Sequence, residues 1–344
     1  MNSDISIQPP DNLLTFYRIH GTFSFLFNLF GIFLICTNRR IIRLYKGFMI
    51  NMQIWSMVAD VEMTILMQPI LLFPMIAGYT NGPLWYLFEI RSHYQMAIFL
   101  LLLYLQIASI VSAIVTKHQI IASIGNAAFR NKLFWVFVTI YHSVSFFIFL
   151  VFLQSSLTRQ QIEQVVNEKY PNSLNILTLP NLDMYDMKMN SWIVVTTVLI
   201  TIMLSSSITI SIVFSILLFR TLHNKKVIIS TRNYRAHKIA VTSLMAQSTI
   251  PVIVIIIPIS VIVYFFIHSI PNSQNISNGM MAIYSLHSSL STFVMIISTP
   301  HYRLVLLRGF KSSPSSPASQ QNTKIWPNVT NRNKKLSEPQ ILMS

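Results

Sequence analysis

Long apolar runs separated by short polar segments make up most of this sequence. Seven of the runs are long enough for an α-helix to cross the hydrocarbon core of a bilayer, which takes about 20 residues. A chain in lipid must satisfy its own backbone hydrogen bonds, so each run is predicted to be helical. The runs are too long, and alternate too little, for transmembrane strands. The predicted spans are 14–37, 48–76, 93–115, 133–153, 192–219, 239–267 and 279–299.

The composition supports a membrane protein over a soluble one. Charged residues make up 10% of the chain and apolar residues 53%, whereas a soluble domain carries about 25% charged residues. Cys36 is the single cysteine, which excludes a disulfide within the chain. The net charge of +15 does not indicate a nucleic-acid partner, because the basic residues lie in short segments between apolar runs.

The distribution of charge predicts the orientation of the spans. Twenty basic residues and one acid, Glu338, lie in segments 38–47, 116–132 and 220–238 and in the part after 300. Positive segments stay in the cytosol, so the N-terminus is predicted outside and the C-terminus inside. The sequence therefore predicts an all-α membrane protein, a seven-transmembrane helix bundle. Its expected parts are an extracellular N-terminus (1–13), the bundle (14–299), a juxtamembrane amphipathic helix (300–311) and a disordered cytosolic tail (312–344).

Asp60 and Glu62 are the acids within a predicted span, where an ionisable side chain is costly to bury. They are about 200° apart around a helix, so they face different ways. We expect Asp60 to face the bundle as a polar switch element, with Asn28 or Asn51 as its partner. A purely structural hydrogen bond between helices is the alternative.

The sixth predicted span contains Pro251 and Pro258, seven residues apart and so nearly on one face. Proline removes a backbone donor and kinks a helix. Both residues are switch candidates, because a kinked span can swing its cytosolic end. A static bend is the alternative.

Polar and aromatic side chains near the outer ends of the spans predict a ligand pocket between helices. The same residue types also collect at membrane interfaces, which is the alternative for each of them. Ser205, Ser206, Ser207, Thr209 and Ser211 in the fifth span are interpreted as helix-packing residues rather than ligand contacts. The pocket candidates are Gln68, Tyr94, Gln95, Tyr264, His268, Tyr284 and His287.

The remaining motifs do not indicate an enzyme. The histidines lack metal-binding or hydrolytic spacing, and there is no Gly-rich phosphate loop, so no cofactor is expected. Asn275 begins an Asn-Ile-Ser sequon, a possible glycosylation site, in the segment between the sixth and seventh predicted spans.

Several short motifs resemble those of the nematode serpentine chemoreceptors. Segment 67–79, MQPILLFPMIAGY, with Gly82 and Leu84 after it, is most similar to class I of that superfamily, with class H second. Segments 20–21, 28–31, 117–119 and 300–303 fit the same pattern, although His301 stands where proline is expected. The resemblance covers about residues 10–310. The Asp-Arg-Tyr and Asn-Pro-x-x-Tyr motifs of rhodopsin-like receptors are absent from the sequence.

The resemblance implies a G protein-coupled receptor that detects small environmental molecules, odorants or tastants, and activates a heterotrimeric G protein. Membrane lipid is the other expected partner, and the plasma membrane of sensory cilia the expected location. A transporter, a ligand-gated channel of the odorant receptor kind with the opposite orientation, and a family member that no longer signals are the alternatives. The G-protein surface candidates are Lys117, His118, Lys225, Lys226, Arg232, Arg235 and Arg303.

Overall fold

The computed structural model describes residues 5–38, 42–124, 132–268 and 273–310, and most of them are helical. Helix α1 spans Asp11–Thr37, and α2 spans Arg43–Val61 and continues as a π-helical turn, Glu62–Met67. Short 3-10 turns occupy Pro171–Thr178 and Lys225–Val227. The other helices are α3 Pro83–Phe88, α4 Ser92–Ala122, α5 Lys132–Leu153, α6 Arg159–Lys169, α7 Trp192–Asn224, α8 Thr231–His268, α9 Gln274–Ser285, α10 His287–Ser298 and α11 Pro300–Phe310.

The long helices of the first compact unit, which ends at Leu304, pack as a closed ring. Around the ring, α1 is followed by α2, α4, α5, α7, α8 and the α9–α10 pair, which returns to α1. Helix α4 is central, since it also contacts α8, and 78% of its most apolar segment is buried. The matching value for α7 is 17%, so α7 has most of its surface on the outside of the ring.

Five helical segments among the described residues are both long and apolar enough to cross a membrane. They are α1, α4, α5, α7 with its 3-10 turn, and α9 with α10. Helix α2, which carries Arg43, Lys46 and Asp60, and helix α8 complete the ring of seven. The predicted seventh span, 279–299, proves to be two helices that meet at Leu286.

The second predicted span, 48–76, is too long, because its helix ends at Met67. Gln68 adopts a left-handed conformation, with φ 48°, and caps the π-helical turn. Pro69 follows, and proline has no N–H to continue a helix and disfavours helical geometry in the residue before it. The apolar residues beyond Pro69 therefore form a hairpin rather than another helical turn.

This hairpin belongs to a three-stranded antiparallel sheet. Strands β1 (Pro69–Leu71), β2 (Ala77–Thr80) and β3 (Asp183–Met184) lie in the order β1-β2-β3. We call the sheet, α3, α6 and the turn Pro171–Thr178 the lid, and the end of the bundle that carries it the lid end. The opposite end, which carries the α7–α8 connection, is called the basic end.

Three sets of polar contacts join the lid end together. The Tyr79 hydroxyl donates to the Ile7 carbonyl at 2.7 Å. The Gln274 amide accepts from the Ser6 N–H at 3.0 Å and donates to the Ser6 carbonyl at 2.9 Å. Asn278 accepts from the Leu71 N–H at 2.9 Å. These contacts tie the N-terminal segment and the hairpin to the start of α9.

Candidate functional site

A cavity of about 610 Å³ lies between α4, α7 and α8, within the size range of small-molecule sites. Of the described residues that line it, none is charged. It extends from the middle of the bundle towards the basic end. The lining residues are Ile107, Ile110, Val111, Ile114, Leu204, Ser207, Ile208, Ser211, Ile212, Ser215, Ile216, Phe219, Met245, Ser248, Thr249, Pro251, Val252 and Ser260.

The hydroxyl groups in this wall differ in how far they are satisfied. Ser207 donates to the Met203 carbonyl at 2.6 Å and also contacts the Tyr141 hydroxyl. Ser215 donates to the Ser211 carbonyl at 2.5 Å and lies 2.8 Å from the Met245 sulfur of α8. The Ser211 hydroxyl makes no hydrogen bond to any described residue. It is therefore free to bond a molecule in the cavity.

Ser207 and Ser211, two of the fifth-span hydroxyls interpreted as packing residues, line this cavity, and Ser207 also packs against Tyr141 of α5. The sequence contains a spacing that places these serines on one side of the helix. Ser207, Ser211 and Ser215 are spaced by four residues and so share one helix face. Which neighbour that face meets, and how loosely, depends on α4 and α8 and is not visible in α7 alone.

Two of the pocket candidates, Tyr284 and His287, lie together in the bundle core. Their rings are 5.0 Å apart, and the Tyr284 ring meets Phe99 edge to face. His287 Nδ1 lies 2.9 Å from the Tyr284 carbonyl, and Nε2 lies 3.2 Å from Oε1 of Gln106. Gln106 in turn donates to the Ser56 hydroxyl at 3.2 Å. This group links α2, α4 and the α9–α10 junction, but it does not line the cavity.

Gln68, Gln95, Tyr94 and Tyr264 are placed differently. Gln68 and Gln95 are buried, and their side-chain amides donate to backbone carbonyls of their own segments, at Thr64 and Ile90. Tyr94 is 47% exposed and Tyr264 54% exposed. The side chain of His268 lies outside the described residues. Of the seven candidates, the structure therefore brings Tyr284 and His287 into contact.

Asp60 faces the bundle. Ser24 links it to Asn28, one of its two expected partners. The Ser24 hydroxyl donates to Asp60, and the Asn28 amide donates to the Ser24 carbonyl at 2.8 Å. Asn28 also accepts from the Thr292 hydroxyl at 2.6 Å and from the Gln53 amide. The network joins α1, α2 and α10 in the core.

Two neighbouring polar residues are placed differently. Asn51, the other expected partner of Asp60, instead donates to the Ser109 hydroxyl of α4 at 2.7 Å. Glu62 is buried in the π-helical turn, and its Oε1 atom has no hydrogen-bond partner among the described residues.

Both prolines of the sixth predicted span lie inside α8. Pro251 lines the cavity, and the Ser248 hydroxyl before it bonds back to the Leu244 carbonyl at 2.8 Å. A proline at this point removes a backbone hydrogen bond beside the cavity wall. The missing backbone hydrogen bond and the cavity wall therefore lie in the same stretch of α8.

The predicted partner surface is only partly exposed. Lys117 is buried, with its Nζ 4.4 Å from the centre of the Tyr45 ring. His118 lies 3.3 Å from the Thr221 hydroxyl and packs edge to face on Phe214. The expectation that Lys117 belongs to an exposed surface is therefore corrected, because its stem and charge are covered by α2.

The other basic candidates lie at the basic end. Lys225 is half-buried and donates to the Ile124 carbonyl at 2.7 Å, which holds the α7–α8 connection against the end of α4. The exposed members are Lys226, Arg232, Arg235 and Arg303.

At the lid end, Asp183 holds the α5–α7 connection on the start of α4. It forms an ion pair with Arg91 at 2.6 Å and accepts from the His93 N–H at 2.7 Å. Burial raises the pKa of Asp183, against the opposing effects of Arg91 and the His93 N–H. The sequon residue Asn275 is also at this end, exposed in the first turn of α9 rather than in a loop.

Comparison with known proteins decides the family. The family model described as "Serpentine type 7TM GPCR chemoreceptor Sri" matches residues 3–306. The chain belongs to this family. No curated protein matches the sequence. The crystal structure of squid rhodopsin is similar, with a TM-score of 0.55 and 11% identity over 90% of this chain and 91% of that one. At that identity the likeness shows the fold alone.

The predictions of a seven-transmembrane helix bundle and of a G protein-coupled chemoreceptor are thus confirmed. The Sri chemoreceptor is a multi-pass membrane protein. Its family consists of receptors, which agrees with the prediction that it is not an enzyme. G proteins and small molecules are the general classes of partner that such a receptor has.

Proposed function

We propose that this Sri chemoreceptor detects an environmental small molecule, an odorant or tastant, and activates a heterotrimeric G protein at its basic end. The observation that carries the proposal is the position of the cavity. It lies between α4, α7 and α8, beside Pro251, and α7 and α8 are joined by the exposed basic connection. A ligand that binds better to one position of α8 shifts the population towards that position.

The charge distribution supports a cytosolic basic end and an extracellular lid. Segment 220–238, which contains the α7–α8 connection, carries six lysines and arginines and no acid, whereas the lid carries Glu163, Glu168 and Asp183 beside Arg159 and Lys169. Positive segments remain in the cytosol. The same basic residues also meet anionic lipid at the inner leaflet, which is the membrane-lipid contact that we propose.

The proposed G-protein surface consists of Lys226, Arg232, Arg235 and Arg303, with Lys225 at its edge. The exposed side chains stand free to form ion pairs with an acidic partner, and such pairs mainly speed and orient association. His118 lies deeper, beside α7, and positions the end of α4 rather than contacting the partner.

Alanine at Lys225, Lys226, Arg232 and Arg235 together tests this function. Coupling is measured by energy transfer between the receptor and a panel of Gα subunits, with and without added volatile mixtures. We expect recruitment to fall to background, while the control Lys188→Ala, an exposed lysine of the lid end, keeps it. An N-terminal epitope on unpermeabilised cells reports surface expression and orientation together. Unchanged recruitment at normal expression would contradict the surface, and an inaccessible epitope would contradict the orientation.

Within the superfamily we propose class I rather than class H. Segment 67–79 and Gly82, which carry the class I resemblance, build the hairpin and its packing against the π-helical turn. We further propose the plasma membrane of sensory cilia as the location. A fluorescent fusion that stays in the cell body would contradict that placement.

A further inference from the structure

We infer that the cavity between α4, α7 and α8 binds an uncharged, lipophilic molecule with one hydrogen-bonding group, which enters from the bilayer between α7 and α8. The inference rests on the proposed function for its biological role, and it adds the ligand's chemical class and its route. Binding at this cavity can be measured without any G protein.

The wall of the cavity sets the charge of the ligand. None of the described residues in the wall carries a charge, and apolar side chains of α4, α7 and α8 form most of it. Burying an ion without a partner costs far more than apolar contact returns. A molecule that fits here is therefore neutral.

The route follows from which wall residues are exposed. Ile212, Ile216 and Val252 line the cavity and are also exposed on the outside of the helix ring. In a membrane the outside of the ring faces lipid, so the cavity opens to the bilayer between α7 and α8. A hydrogen bond from Ser215 to the Met245 sulfur joins these two helices, and a thioether sulfur is a weak acceptor.

A ligand that entered from the lid end would have to break several polar contacts. The hairpin is bonded to Asn278, and the N-terminal segment is bonded to Gln274 and Tyr79. Asp183 adds an ion pair with Arg91. Lateral entry leaves all of these contacts in place, which favours it for a molecule that already partitions into lipid.

Ser211 provides the polar anchor. Its hydroxyl lines the cavity and has no partner among the described residues, whereas the Thr249 hydroxyl is already bonded to the Met245 carbonyl at 2.9 Å; Ser260 also lacks a described partner but is exposed, while Ser211 is half-buried. A ligand carbonyl accepts a hydrogen bond from Ser211 and turns its alkyl part towards Ile107 and Ile110. The methylene part of a phospholipid chain has no such group, so the anchor separates a ligand from the hydrocarbon of the bilayer.

Photolabelling of the full chain in lipid nanodiscs tests the inference. The probe is 3-trifluoromethyl-3-phenyldiazirine, which loses N₂ on irradiation and leaves a carbene that inserts into a nearby O–H or C–H bond. Mass spectrometry locates the adducts. We expect saturable labelling of peptides from α7 and α8 that contain lining residues. 2-Nonanone should compete for it and nonyltrimethylammonium should not.

Matched variants identify the site. Ser211→Trp fills the cavity and should abolish saturable labelling, while Thr209→Trp, two residues away and exposed on the same helix, should not. Ser211→Ala keeps the space and should weaken competition by 2-nonanone about fivefold, which corresponds to about 1 kcal/mol for one neutral hydrogen bond. The alanine variant gives a result even where the tryptophan variant fails to fold.

Three results would overturn the inference. Labelling that never saturates would mean lipid chains only, equal competition by the ammonium compound would remove the charge argument, and equal labelling of the Ser211→Trp and Thr209→Trp receptors would move the site elsewhere. Saturable labelling without any G-protein recruitment would contradict the proposed function alone. Recruitment without saturable labelling would contradict this inference alone.

Discussion

At the scale of single residues, the hydrogen bond between Ser24 and Asp60 is the contact whose loss has the clearest expected cost. Ser24→Ala leaves the buried Asp60 carboxyl without its donor, and a stranded buried acceptor costs about 1–3 kcal/mol. We expect a lower melting temperature of the purified receptor in detergent. Ser112→Ala is the matched control, since Ser112 is equally buried but its hydroxyl has no partner among the described residues. Equal destabilisation by the two variants would contradict the role of the network.

The sequence predicted some of these residue contacts and missed others for a physical reason. The cost of burying an acid in a span was enough to single out Asp60, but of its two expected partners Asn28 is reached only through Ser24, and Asn51 bonds Ser109 instead. The sequence did not predict that Lys117 is buried, because its aromatic partner Tyr45 lies on another helix. A cation near a predicted helix end has two outcomes, exposure or cover by a neighbouring ring, and the neighbour decides between them.

At the scale of elements, the turn between β2 and α3 depends on Gly82. A Cβ atom there would lie 2.1 Å from the Leu66 carbonyl oxygen, which is backbone and cannot move aside. Gly82→Ala should therefore destabilise the lid end by about 1–3 kcal/mol, as overpacking does. Gly47→Ala is the control, because a Cβ there meets nothing within 4 Å and alanine favours the helix by about 0.5–1 kcal/mol. Thermal unfolding of both variants checks the difference, and an unaffected Gly82→Ala receptor would refute it.

The bounds of the elements show where hydropathy is sufficient and where it is not. The fourth predicted span, 133–153, differs from α5 by one residue, because polar residues flank that run on both sides. The second predicted span fails at Met67, since residues 70–76 are as apolar as a helix but follow Pro69. There the backbone chemistry of proline overrides the apolar pattern, and β3 from a distant segment supplies the pairing that the hairpin needs.

At the scale of the whole molecule, the number of spans and the grouping of basic segments followed from the sequence, because lipid imposes both. The cavity did not follow, since it is the space left between three helices that contact one another only through tertiary packing. The sheet of the lid did not follow either, because it pairs strands from two distant segments. With one cysteine in the chain, a disulfide cannot hold the α5–α7 connection, which is held by buried apolar side chains such as Val166 and Met184 together with polar contacts.

Among the polar contacts, those of Asp183 attach the lid to the start of α4. Its carboxylate bonds both Arg91 and the His93 N–H, so Asp183→Ala removes two contacts, whereas Asp183→Asn keeps one acceptor and loses the charge. Hydrogen exchange at β2, β3 and the first turn of α4 should therefore quicken in the order native, Asn, Ala, with the bundle helices unchanged. Asp186→Ala is the control, because Asp186 accepts from backbone N–H groups of its own turn and pairs with Lys169 of α6, so its loss should speed exchange within 186–190 and at the end of α6 rather than at β2 or α4. If Asp183→Ala left exchange at β3 unaltered, the lid would be held by its apolar contacts instead, and Met184, which is buried in the same cluster as Tyr79, would be the residue to test next.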